Sequence, residues 1–150
     1  MGWFGVDMLD GDQPLDCKDE LFHILNIDTS KMNYCQIKDI LNKNQDKIYD
    51  WLRDYDWEKL YPTSPGFIQQ VYSFAVIRIL LNYGITLSTR GIKGIMQFVD
   101  NDILSKYSSE RREIIDKFRE ELYKQPNFEQ YLLEKDKEWK INIQLIIWKK

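Results

Sequence analysis

Between Pro65 and Tyr83 the chain offers almost no polar face. Phe67, Ile68, Val71, Tyr72, Phe74, Ala75, Val76, Ile77, Ile79, Leu80 and Leu81 crowd every side of a helix drawn through them. A helix without a polar stripe has to be enclosed by other elements rather than laid on a surface. Ser73 and Arg78 interrupt the run, and its most apolar stretch, Val71 to Leu81, is too short to cross a bilayer. The segment therefore reads as the central helix of a core, opened by Ser64-Pro65 as cap and first-turn proline and stopped by Gly84.

Around it the apolar residues recur at helical spacing. Leu15, Leu21, Phe22 and Leu25 outline a first helix that begins near Pro14 with Asp12 as cap. Ile37, Ile40, Leu41, Ile48, Trp51 and Leu52 mark a second region from Asn33 to Tyr55, either one long helix or two broken near Asn42-Lys43-Asn44. Ser88 can cap a helix to about Tyr107, and Ser108 or Ser109 opens another through Tyr123. After Pro126-Asn127 the end reads two ways. Trp139, Ile141, Ile143, Leu145 and Ile147 alternate with polar residues as in a strand, while Trp139, Ile143, Ile146 and Ile147 also fit a helix, which is favoured. The expected fold is mostly α: one domain over residues 1–150, a compact bundle of about five to six helices around 65–83. Residues 1–13 form an irregular acidic opening, and a short terminal strand is the alternative at the other end.

With 150 residues, 7 Gly and 4 Pro, the chain has the size and composition of one folded domain, and its 14% aromatic content supplies core material. No charged segment leads into an apolar one at the N-terminus, so the expected location is the cytoplasm of the producing or host cell, with no membrane association. The abundance of Ile and Lys beside a single alanine, Ala75, points to A/T-rich coding in a bacterium or a phage. Cys17 and Cys35 match no metal or redox spacing and read as buried structural thiols.

The formal net charge is −3. Residues 1–30 hold Asp7, Asp10, Asp12, Asp16, Asp19, Glu20 and Asp28 against Lys18, a net of −6, whereas the remainder carries +3. A basic stripe of the kind that tracks nucleic-acid backbone is missing, which argues against a nucleic-acid partner. An acidic cap is better matched to a protein with a basic surface.

Catalytic chemistry finds little to work with. The single histidine, His23, reads as a packed or capping residue, and HExxH, GxSxG, Walker A, GxGxxG and CxxC patterns are all missing. Asp7, Asp10, Asp12 and Asp16 could supply oxygens to a hard cation. Pro14 and Leu15, however, stand where an EF-hand needs a ligand and a turn glycine, so capping and turn roles for these aspartates are favoured over a metal site. Gly91 and Gly94 read as places of close approach to a neighbouring helix, such as the central one, rather than a nucleotide-backbone clamp. Arg78, isolated in the apolar helix, should reach a carboxylate such as Asp7 or Asp16, or else extend to water. The mixed charges from Glu110 to Glu138 read as a solvated face.

The opening Met1-Gly2-Trp3-Phe4-Gly5, followed by Asp10-Gly11-Asp12-Gln13-Pro14-Leu15-Asp16, resembles a family of small bacterial and phage proteins of unknown function. Its members begin Gly-x-Trp-Gly and continue with an acidic Asn/Asp-Asp-x-Ala-x-Asp. Gly2, Trp3 and Gly5 answer to the first element, Asp12 and Asp16 to the second. The resemblance implies a compact, mostly helical domain and no activity.

Taken together, the expectation is a non-enzymatic protein-binding module, an inhibitor of the immunity or anti-defence type. It would act without cofactor or metal through Trp3, Asp7, Asp10, Asp12, Asp16 and Arg78, with a homodimer left open. The alternatives are a small-ligand or nucleotide binder with a pocket lined by Trp3, Trp51, Trp57 or Tyr72 and anchored by Arg78, and, third, a metal-dependent hydrolase on the aspartates.

Overall fold

The computed structural model describes residues 12–106 and 108–149, at backbone level only for 12, 13, 103, 104 and 146–149. In chain order these form α1 (Asp12–Ile24), α2 (Tyr34–Lys43), α3 (Gln45–Asp54), α4 (Trp57–Leu60), α5 (Pro65–Asn82) and α6 (Thr89–Asp100). A 3-10 turn (Ile103–Lys106), α7 (Ser109–Tyr123) and α8 (Phe128–Lys149) follow. The fold is all α among the described residues, and the ambiguous end is helix rather than strand.

Helix α5 is the centre. Phe74, Ala75, Val76 and Ile77 are consecutive and all buried, so the helix is covered on every side at its middle. Helices α1, α3, α4 and α6 pack directly against it. Helix α7 adds Phe118, whose ring meets Phe74 edge-on at 5.8 Å. Pro65 stands in the first turn as expected, but Ser64 holds the N-cap position without a side-chain hydrogen bond. At the other end Gly84 takes a φ of +69°, and the amides of Gly84 and Ile85 bond back to the carbonyls of Leu81 and Leu80. Only a residue without Cβ adopts that left-handed turn freely.

Several helix boundaries differ from the sequence reading, each for a local reason. Asp12 is already helical, so it does not stand outside α1 as the cap. The region from Asn33 divides at Asn44, whose side-chain amide donates to the carbonyl of Ile40 at 2.7 Å and closes α2. At the start of α2, Asn33 and Gln36 form a reciprocal capping box. Helix α6 is capped by Ser88, as expected, yet it ends at Asp100 rather than near Tyr107. Asn101 donates to the carbonyl of Gln97, and Asp102 accepts from both the amide and the hydroxyl of Ser105, which diverts the chain into the 3-10 turn. These breaks, with the four-residue α4, raise the number of α-helices among the described residues to eight.

The extended connection between α5 and α6 has no helix to satisfy its backbone, and amide side chains from two sides do so instead. Gln45 donates to the carbonyl of Thr86 and accepts from the amide of Ser88, at 2.9 and 3.0 Å. Gln125 accepts from the amide of Leu87 and Asn127 donates to its carbonyl, at 2.9 and 2.8 Å.

One part of the charged segment is not solvated. Arg111 is buried against Asp102, with side-chain exposures of 7% and 1%. The carboxylate accepts from Arg111 Nε at 3.1 Å, Arg111 Nη2 at 3.2 Å, Gln70 Nε2 at 2.7 Å and the Ser105 hydroxyl at 2.6 Å. The guanidinium lies 5.1 Å over the ring of Phe74. A buried pair so fully bonded stabilises only while both partners stay, because removing one leaves an uncompensated charge. Asp102→Ala should therefore cost about 3–5 kcal/mol in chemical denaturation. A loss below about 1 kcal/mol, the range of an exposed pair, would contradict this burial.

Candidate functional site

Of the residues expected to form a site, only Asp16 and Arg78 have described side chains. Trp3, Asp7, Asp10 and the side chain of Asp12 lie outside the described residues, and Asp16 is exposed on α1. Arg78 does not pair with Asp16. It lies on the side of α5 that faces α7, where its guanidinium donates to Glu121 at 2.6 Å and to Asn82 at 3.1 Å and stands 5.9 Å from the centre of the Phe118 ring. His23 is exposed in the last turn of α1 rather than packed. Cys17 is buried, as expected, but Cys35 is exposed. Among the described residues no group of three or more His, Cys, Asp or Glu is placed to hold a metal ion. No helix there is long and apolar enough to cross a membrane.

The aromatic set proposed as a ligand pocket is packed on itself. Trp57 and Tyr72 meet edge-on at 5.2 Å, Tyr55 lies 4.7 Å from Trp57, and the Trp57 indole N–H donates to the carbonyl of Leu52 at 3.0 Å. Trp57 and Tyr72 are both buried and belong to the core, while Trp51 is half-buried and Trp3 lies outside the described residues.

Two other features stand out. The first is α8. Its opening residues Phe128 and Tyr131 are buried, and Lys93 of α6 reaches Glu138 at 3.0 Å. Beyond Tyr131 every residue through Leu145 is exposed except Ile143, which is half-buried. Leu132, Leu133, Trp139, Ile141 and Leu145 are each about half exposed or more, with Trp139 at 62%. At about 1.5 Å per residue, the residues from Trp139 to Lys149 carry the helix roughly 16 Å beyond Glu138. Apolar residues lie on several sides of this segment.

The second feature is a cavity of about 540 Å³ between α3, α5, α6 and the first half of α8. Its floor includes Leu52, Ile77, Ile95 and Phe98, and its rim carries Arg53, Arg90, Lys93 and Lys135 with Asp100, Glu134 and Glu138. The glycines of α6 divide their roles here. A Cβ on Gly91 would run into the Tyr49 hydroxyl, so the close approach is to α3 rather than to the central helix; a Cβ on Gly94 would meet nothing. Arg90 sits over the Tyr49 ring at 5.8 Å and pairs with Asp50 and Asp46.

Burial raises the Tyr49 phenol well above its ordinary value, with Asp46 adding to the shift, while Ser88 and Arg90 act the other way. Tyr72 is raised by burial and then by Glu20, and the Cys17 thiol by the same two causes in the same order. In the unfolded chain these groups ionise at ordinary values, about 8.5 for a thiol and 10 for a phenol. Above that range unfolding releases protons, so stability falls as pH rises towards the folded-state values. The melting temperature should hold between pH 7 and 8 and drop by roughly 5 °C or more by pH 10.5, with a shallower drop in Tyr49→Phe. A flat profile to pH 10.5 would contradict the burial of these groups.

No protein-family model matches the chain, and neither a curated protein nor a solved structure matches it.

Proposed function

We propose that the chain is a non-enzymatic protein-binding module that lays the distal half of α8 into an apolar groove of a partner protein. The exposure of Leu132, Leu133, Trp139, Ile141 and Leu145 on a helix that outruns its own core carries this reading. Isolated helices are marginal in water and draw most of their stability from packing an apolar face. Burying a side chain of this size is worth about 1.5–3 kcal/mol, and an exposed tryptophan such as Trp139 is a usual anchor of a helix-in-groove contact.

The acids of residues 1–30 would steer the molecule towards a partner with a basic surface. Occlusion of a partner's groove requires no catalytic group, which suits an inhibitor of the immunity or anti-defence type, acting in the cytoplasm of the producing or host cell.

A second reading, pairing of two copies, draws support from the charge along α8. Residues 128–138 hold Glu129, Glu134, Asp136 and Glu138 against Lys135 and Lys137, whereas 139–150 hold Lys140, Lys149 and Lys150 and no acid. Two such helices laid antiparallel would oppose unlike charges beside their apolar residues.

A photo-crosslinking amino acid at position 139 or 145 should give one discrete adduct in the cell, absent when it is placed at exposed Lys117 on α7. An adduct of twice the chain's mass would favour self-pairing. No adduct at 139 or 145, or the same adducts from all three positions, would overturn docking through α8.

A further inference from the structure

The cavity between α3, α5, α6 and α8 is a separate feature, and nothing in the argument for α8 depends on it. Its volume of about 540 Å³ falls within the range of roughly 300–1,000 Å³ typical of small-molecule sites. Three observations say what it is shaped to hold.

The first is Ser73. It sits among apolar residues in the middle of α5, is 93% removed from solvent, and lines the cavity. Among the described residues its hydroxyl has no hydrogen-bond partner, whereas Gln69, one turn earlier on the same wall, donates to the carbonyl of Leu52. A hydroxyl that opens onto the cavity with no protein partner is free to bond a ligand oxygen there.

The second is Gly94. A glycine inside a helix costs about 1 kcal/mol relative to alanine. Tyr49 accounts for Gly91, but no packing accounts for Gly94, where an added Cβ meets only open space. What the missing side chain supplies is room above the apolar floor.

The third is the rim. Arg53 pairs with Asp50 and Asp54, Arg90 with Asp46 and Asp50, Lys93 with Glu138, and Asp100 with Arg119. Glu134 accepts from Gln130. Lys135 differs: its ammonium stands 5.9 Å from the centre of the Tyr131 ring, and no carboxylate pairs with it among the described residues. An anionic group at the cavity mouth would find that cation uncommitted.

We propose that this cavity binds a small amphipathic molecule, with an apolar body on the Leu52–Ile77–Ile95–Phe98 floor, an oxygen within reach of Ser73 and an anionic head at Lys135. The test uses two probes: anilinonaphthalene sulfonate, whose fluorescence reports binding, and decanoate as its competitor. The dye should bind at one site and be displaced by decanoate, with decylamine at least about tenfold weaker as competitor. Gly94→Leu fills the open space, so it should weaken dye binding about tenfold or more while leaving the melting temperature equal or higher, since it removes a helix-interior glycine. Lys135→Glu, at an exposed position, should weaken binding several-fold without touching the core. A Trp139→Asp/Leu145→Asp variant should bind as the parent does, which separates this site from the exposed apolar residues of α8. Absence of saturable binding, parental affinity in Gly94→Leu or Lys135→Glu, equal competition by decylamine, or loss of the dye with the α8 variant would each overturn the proposal.

Discussion

A helix that is apolar on all sides can persist in water only if other elements wrap it, and that requirement organises this molecule. Helices α1, α3, α4 and α6 cover α5 directly, and α7 closes the remaining side through Phe118. The surrounding helices need bury only one face each, and they are correspondingly amphipathic: α6 sets Ile92, Ile95, Met96 and Val99 inward and leaves Lys93 and Gln97 to water. The ends of α5 are tied as firmly as its middle, by the left-handed Gly84 at one end and a first-turn proline at the other. The segment that follows Gly84 is then satisfied from both sides by Gln45, Gln125 and Asn127.

Polar groups placed against this core follow contrasting rules. Asp102 and Arg111 are buried with nearly every hydrogen-bonding position occupied, so their charge is matched where it sits and they hold the α6–α7 connection in one geometry. Arg78 solves the same problem at the edge of α5 by reaching Glu121. The Ser73 hydroxyl differs in opening onto the cavity, and it makes no hydrogen bond among the described residues.

Much of the fold is legible in the residues because it depends on local rules. The central helix, its Gly84 stop, the Ser88 and Ser108 caps and the break near Asn44 all rest on propensities within a few residues of the site. What is not legible depends on contacts distant in sequence. Arg111 lies in a run of mixed charge indistinguishable from a solvated face, and only the return of Asp102 and Gln70 to its side shows it to be buried. The choice of Arg78's partner likewise turns on which helix lies across from it, and that is α7 rather than α1. The early truncation of α6 arises from Asp102, whose bonds to Ser105 and Arg111 outweigh the apolar spacing of Ile103 and Leu104. The apolar end of α8 was visible as a pattern, but periodicity cannot say whether such residues are covered. Exposure decides that, and it requires the whole fold.

The distal half of α8 is where the wrapping logic stops: Trp139, Ile141 and Leu145, as apolar as residues of the core, are each more than half exposed. Amide hydrogen exchange on the purified chain, followed over a dilution series, tests this most directly. The account expects α5 to exchange slowest, protected by global unfolding, and the amides from about residue 140 onward to exchange orders of magnitude faster at low concentration. Distal α8 amides as protected as those of α5 at every concentration would show that the helix is already covered within its own chain, and would contradict its role as the docking element.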